Sequence, residues 1–113
     1  MCGIFGIITS KESQYKQHFL KKSFKKLAYL SETRGKDSSG VCVLDGRNNK
    51  INLLRGPIPV KDMLKHNIFE KNLDLAFTKN NLSQYVFGHS RLVTNGSQLN
   101  NSNNQPVYND EVI

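Results

Sequence analysis

Three groups of residues have the types and spacing that chemistry needs. Cys2 follows Met1 directly and precedes Gly3 and an apolar run. A small second residue permits removal of the initiator Met, which would leave Cys2 with both a thiol and a free α-amine. An α-amine has a reference pKa of roughly 7.7–8.0, near enough to neutrality to act as a general base. Nucleophile and base would then be one residue, as for N-terminal threonine nucleophiles, and a nearby cation would activate the thiol further. The plain alternative is an inert, buried thiol. The second group, Arg34-Gly35-Lys36-Asp37-Ser38-Ser39-Gly40, is a polar turn bracketed by glycines. A helix stop, with Asp37 and the serines bonding their own backbone, accounts for the glycines but not for the pairing of Arg34 with Asp37. The third is Gly88-His89-Ser90-Arg91-Leu92-Val93-Thr94-Asn95-Gly96, with Gln105-Pro106 downstream. Arg91, placed after an apolar strand, offers a fixed fork for a carboxylate. The competing readings are a surface ion pair for Arg91 and a satisfied core histidine for His89.

These groups need elements to hold them. Residues 3–9 form a short Ile-rich run that reads as a buried strand. Ser10 or Ser13 can cap a following helix. In that helix Tyr15, Phe19, Leu20, Phe24, Leu27, Ala28 and Leu30 recur at three- and four-residue spacings with lysines between them. The helix is predicted to stop near Arg34-Gly35, with Gly35 as its C-terminal cap. Residues 40–44 and 50–55 read as a hairpin around the 45–49 turn, and Gly56-Pro57-Ile58-Pro59 ends it. Apolar residues at 60, 63, 64, 68 and 69 predict a second helix over 60–73, and residues 85–89 read as a buried strand leading into Ser90 and Arg91. The Asn-rich stretch 96–105 reads as a loop carrying little functional information. Residues 106–108 and 111–113 read as strand edges around an Asn109-Asp110 turn. A sequence that stops inside an apparent strand predicts a chain missing its continuation.

The sequence has 113 residues, with 16 Lys and Arg against 9 Asp and Glu, for a formal charge of +7. That length suits a single small domain or a piece of a larger one. Two cysteines are too few for a disulfide framework, and no Cys or His pair has metal-ligand spacing, so no metal is expected. No apolar stretch approaches the ~18 residues of a membrane span. The start lacks the basic segment of a secretory signal. A cytoplasmic protein without a membrane partner is expected. The lysines around the first helix read as a solvated face; a small nucleic-acid binder would instead interleave its aromatics with the basic residues, so no nucleic acid is expected.

Taken in order, Cys2-Gly3-Ile4-Phe5-Gly6, the Arg34–Gly40 turn, the Gly88–Gly96 segment and Gln105-Pro106 resemble the class II glutamine amidotransferases, whose glutaminase domains are N-terminal-nucleophile hydrolases. The family pattern runs C-G-I-x-G, R-G-x-D-[SA]-[SA]-G, G-H-x-R-[WYL]-x-T-x-G and N-x-[QH]-P, and the resemblance extends from Cys2 to Pro106. It implies an α+β, four-layer αββα sandwich. Residues 1–113 would be its N-terminal half, a single and incomplete glutamine amidotransferase type 2 domain. Cys2 would attack the side-chain amide of L-glutamine, releasing ammonia and passing through a glutamyl thioester that water resolves to glutamate. Arg91 would grip the glutamine α-carboxylate, Thr94 and Asn95 would line the pocket, Arg34 would lie beside the nucleophile, and Asp37 and His89 would support the site. No cofactor is implied. The ammonia would pass to a separate synthase domain or subunit.

Two departures stand out. The family's oxyanion-hole Asn-Gly pair and the acidic residue that holds the glutamine α-amine both lie downstream of where this sequence stops, and losing one oxyanion donor can slow such a reaction ~10²–10³-fold. This chain alone is therefore expected to have impaired glutaminase activity. The 96–106 loop is also about a residue longer than usual. Asparagine synthetases typically have R-G-P-D, whereas here Lys36 replaces the proline. The motifs are closer to the hexosamine-phosphate synthase and amidophosphoribosyltransferase branches, and so to sugar-phosphate amination. The alternative to catalysis is a truncated or degenerate amidotransferase-like domain with a structural or regulatory role. Cys42, in an apolar strand, is expected to be an inert core thiol.

Overall fold

The strands follow from short apolar and β-branched runs, and the helices from apolar residues one turn apart. The computed structural model describes residues 2–45, 48, 50–78, 83–107 and 109. Strands β1 (Gly3–Thr9), β2 (Ser38–Asp45), β3 (Lys50–Gly56) and β4 (Gln84–Arg91) form one antiparallel sheet in the order β1-β4-β2-β3. Helices α1 (Gln17–Ser31), α2 (Val60–Met63) and α3 (Asn67–Ala76) complete an α+β architecture. A single core joins Phe5 of β1, Val41 and Val43 of β2 and Val86 of β4 to Leu20, Phe24 and Ala28 of α1 and Phe69 and Leu73 of α3.

β1 is not buried on both sides. It is an edge strand, and its residues alternate: Phe5 is buried, whereas Ile4 and Ile8 are 82% and 76% exposed. Ile4, Ile8, Cys42, Leu44, Ile51, Tyr85 and Phe87 line an open apolar trough of about 830 Å³ on the sheet.

Three local readings of the sequence are corrected. α1 begins after Lys16, whose extended backbone makes no side-chain cap, so neither Ser10 nor Ser13 caps it. Ser13 instead donates its N–H to the Ser10 carbonyl in a turn, and Tyr15, ahead of the helix, stacks on Phe19 at 5.2 Å. The helix buries only its i, i+4, i+8 line of Leu20, Phe24 and Ala28, leaving Phe19, Leu27 and Leu30 exposed. The second predicted helix is two. At about 100° per residue, Phe69 in a straight helix would lie roughly 180° around from Val60, yet both are fully buried. The break between Met63 and Asn67 resets the phase so that both faces meet the sheet. At the other end, Pro106 and Val107 are not in a strand. The Asn109-Asp110 turn and the strand at 111–113 fall at least partly outside the described residues, as does most of the hairpin turn.

The lysines of α1 are partly neutralised by α3. Lys21 pairs with Glu70 at 3.0 Å and with Asp74 at 2.5 Å, and Lys25 also pairs with Glu70. Such exposed pairs contribute ~0–1 kcal/mol each, so the helix docks through its apolar line. Phe24, fully buried between Phe5 (5.3 Å) and Phe69 (6.2 Å), joins the helices to β1. Phe24→Ala is expected to destabilise the protein by about 3–5 kcal/mol in urea unfolding. A loss below about 1 kcal/mol would contradict this placement of the core.

Candidate functional site

The end of β4 brings the three motifs together. Gly3 pairs with Ser90, and Ser38 pairs with Arg91, so the first motif flanks the third on one side and the second motif flanks it on the other. Ser90 Oγ donates to the Ser31 carbonyl at 2.7 Å, tying the strand to the end of α1. Asp37 clasps the chain beyond: its N–H donates to the Arg91 carbonyl at 3.0 Å, and its carboxylate accepts the Val93 N–H at 2.6 Å. A hydrogen bond to a charged acceptor contributes about 1.5–3 kcal/mol.

Gly35 proves not to be a left-handed helix cap. Its φ of −180° is ordinary extended backbone, and a 3-10 turn, Glu32–Arg34, separates it from the helix. Glycine is needed there for space: a Cβ would lie 2.2 Å from the Leu92 nitrogen and 2.3 Å from the Arg91 carbonyl carbon. The turn is held from the other side by Glu32, whose Oε2 accepts the Lys61 N–H at 2.8 Å.

Cys2 is exposed, with its Sγ 3.9 Å from the Leu92 carbonyl oxygen. It shares a recess of about 580 Å³ with Leu27, Leu30, Thr33 and Arg34. Leu27 and Leu30, expected in the core, are instead among the apolar walls beside this thiol. Arg91 is not among the described residues lining that recess. Its guanidinium turns to the loop beyond β4, where Nη1 donates to the Asn103 carbonyl at 2.6 Å and Nη2 to the Asn95 carbonyl at 2.5 Å. Two of the five guanidinium N–H groups therefore fix its orientation. Thr94 and Asn95 are both exposed.

The asparagine-rich segment is wired rather than featureless. Asn100 Oδ1 accepts the Ser102 N–H at 3.1 Å, starting the 3-10 turn Asn101–Asn103. Asn103 Nδ2 donates to the Ser97 carbonyl at 3.1 Å, and the fully buried Asn104 donates from Nδ2 to the Gln98 carbonyl at 2.9 Å. Gln105–Pro106 is a cis peptide seated against Gly40, where a Cβ would lie 2.0 Å from the Gln105 carbonyl oxygen. From β3, Arg55 Nη1 donates to the Asn104 and Pro106 carbonyls, both at 3.1 Å. Arg55, Asn103 and Asn104 were not singled out from the sequence. Arg55 could have been flagged as the one charge inside the β3 run Ile51-Asn52-Leu53-Leu54-Arg55.

His89 is buried and lines a smaller recess of about 280 Å³ with Ile4, Phe87, Gln105, Pro106 and Val107. Among the described residues its Nδ1 has no hydrogen-bond partner. Burial first, and the Arg91 charge second, push its pKa below the ordinary 6.5. The other thiol is inert by environment: burial pushes Cys42 up to about 11. No three His, Cys, Asp or Glu side chains among the described residues gather as a metal ion would need. No described helix is long and apolar enough to cross a membrane.

Two outcomes follow from these environments. Because His89 is held neutral in the fold, the unfolded chain binds the extra proton as pH falls below about 6.5. Stability should therefore decline from there down to the depressed folded value, and be independent of His89 above it. Urea unfolding at about pH 7.5 and pH 5 should show a larger loss for the parent protein than for His89→Gln; equal losses would refute this. Brief alkylation of the folded protein near pH 7.5 should modify Cys2 and spare Cys42, as read by peptide mass.

The chain is similar to the glutamine–fructose-6-phosphate aminotransferase [isomerizing] of Sulfolobus acidocaldarius, at 35% identity over 98 residues. The match covers 85% of this chain but 14% of that enzyme, so the chain corresponds to a small part of the relative's length. No family model matches the chain, and no solved structure matches it. The similarity is thus to part of an enzyme named for glutamine and a sugar phosphate, and it supports a relationship to the glutamine amidotransferases.

Proposed function

We propose that the chain is the nucleophile-bearing part of a class II glutamine amidotransferase domain. The observation that carries this reading is the meeting of three motifs at one strand end, with the Cys2 thiol against the Leu92 carbonyl, one residue beyond Arg91. With Met1 removed, the Cys2 α-amine takes the thiol proton, and Sγ attacks the glutamine side-chain carbonyl carbon. The tetrahedral adduct collapses as the amine returns the proton to the leaving nitrogen, giving ammonia and a glutamyl thioester. Water then adds to the thioester, with the same amine as base, and glutamate leaves as the thiol re-forms.

Arg91 takes the glutamine α-carboxylate. Its contacts to Asn95 and Asn103 leave N–H donors free while fixing the plane of the fork, which lowers the ordering cost of binding. Thr94 and Asn95, on the same loop, line the carboxylate end. Arg34, in the Cys2 recess, supplies positive charge near the thiol. Asp37 and His89 act structurally, Asp37 through its clasp on residues 91–93 and His89 as a neutral buried ring.

The αββα architecture is part of the same reading. The core described here is two layers, sheet and helices, and the open trough that includes Ile4, Ile8, Tyr85 and Phe87 suits a second sheet packed face to face. Ammonia released at Cys2 would then serve a synthase domain or subunit, with sugar-phosphate amination favoured by the relative's name.

The test is intact mass before and after treatment with a glutamine-like diazo-ketone, together with glutamate release, on the full-length protein containing this chain. A species lacking Met1 that gains one adduct at Cys2 is expected. Cys2→Ser should lower glutamate release at least ~10⁴-fold, the scale for loss of a covalent nucleophile, whereas Cys42→Ser should retain it. Loss of activity in Cys42→Ser but not in Cys2→Ser would overturn the mechanism.

A further inference from the structure

Arg55 projects from β3 opposite Gly40, the residue against which Gln105–Pro106 is seated. One nitrogen, Nη1, donates to two carbonyl oxygens two residues apart, those of Asn104 and Pro106. The two hydrogens of that nitrogen diverge in a fixed plane, so the pair of bonds specifies both the position and the direction of the segment between them. The residue just before that segment, Asn103, gives its carbonyl to Arg91 Nη1 at 2.6 Å. Two cations from different strands therefore hold adjacent carbonyls of one loop, with the fully buried Asn104 side chain fastened to Gln98 between them.

We propose that Arg55 is a positioning residue for the Arg91 fork. By seating residues 104–106 on Gly40 it presents the Asn103 carbonyl to Arg91, and so fixes the direction in which the remaining guanidinium donors point. Arg55 itself touches no reacting atom. Loss of its two charge-assisted bonds frees the 104–106 segment, and the Arg91 contacts to Asn103 and Asn95 loosen with it. The consequence for glutamine binding rests on the function proposed above; the mechanical coupling between the two arginines does not.

The experiment is hydrogen exchange read by NMR at backbone amides and at the Arg91 guanidinium, combined with glutaminase kinetics, on the full-length protein containing this chain, comparing the parent with Arg55→Gln and Arg55→Lys. Exchange should accelerate at least about tenfold in Arg55→Gln at the bonded amides of Ser102, Asn103 and Asn104, and also at the Arg91 guanidinium, which Arg55 does not touch. The β1 and β4 amides should stay protected, which controls for folding. Arg55→Lys can restore a point charge but not the planar pair of donors, so it should recover part of the protection. The glutamine KM should rise about tenfold in Arg55→Gln, with kcat changed by no more than about threefold, because only the aim of a binding group is altered. Unchanged exchange at the Arg91 guanidinium would overturn the coupling, whatever happens at 102–104. Faster exchange with an unchanged KM would overturn the link to glutamine. A parent protein that leaves glutamine intact would refute the glutaminase reading separately, and the exchange at the Arg91 guanidinium would still decide for or against Arg55.

Discussion

Asp37 is the clasp on which the rest of the site depends. A strand end at the edge of a core has backbone groups with no ladder partner, and those groups must be satisfied. Asp37 satisfies two at once, through its own N–H to Arg91 and its carboxylate to Val93. The chain beyond Arg91 therefore leaves the sheet in a fixed direction. That direction puts Leu92 beside Cys2 and starts the loop that curls back over the Arg91 guanidinium. The clasp works only because Gly35 lets the preceding turn lie against the Arg91–Leu92 peptide. Ser90, one residue earlier, ties the same strand to the end of α1. The site is thus built around backbone, with the side chains hung from it.

Residue types announced much of this, and geometry supplied the rest. The glycines of the second motif were visible in the sequence, but a glycine after a helix fits a left-handed cap as well as a close approach, and only the extended φ of Gly35 separates the two. Leu27 and Leu30 share the helical spacing of the core residues. Spacing gives an angle around the axis but not the width of the sheet beneath, so their place beside Cys2 was hidden. The spacing in the 60–73 segment puts Val60 and Phe69 on opposite sides of one straight helix, but it did not show that both would be fully buried, which is what forces the break. Composition was the poorest guide in the asparagine-rich loop, because a polar side chain that replaces a missing backbone partner looks the same in sequence as one facing water.

The sheet is asymmetric in a way that bears on the functional reading. The helices cover the side built on Phe5, Val41, Val43 and Val86, while Ile4, Ile8, Tyr85 and Phe87 line the open trough. Apolar strand residues on both faces fit a sheet covered twice, and a strand covered once alternates with polar residues instead. β1 carries Ile4 and Ile8 where such alternation would put polar groups, and His89 sits on this sheet with a buried nitrogen that has no partner among the described residues. A covering layer would offer that nitrogen a partner and remove the apolar surface from water with one contact.

Arg91 has a division of labour that follows from its shape. A lysine could neutralise a carboxylate but could not also hold two carbonyls in a defined plane. Here the guanidinium holds the loop through the Asn95 and Asn103 carbonyls with two of its five N–H groups. The loop in turn has few apolar side chains to bury, so its order comes from hydrogen bonds, and the bonds made by charged donors are the stronger ones. Arg91 and Arg55 supply four of them, all to backbone carbonyls. A loop held in part by cations responds to what those cations bind: an anion drawn to Arg91 would act on the same group that keeps Asn95 and Asn103 in place. On the proposed reading of Arg91, carboxylate recognition and loop order are one equilibrium, and the residues that order the loop would tune the affinity without touching the ligand.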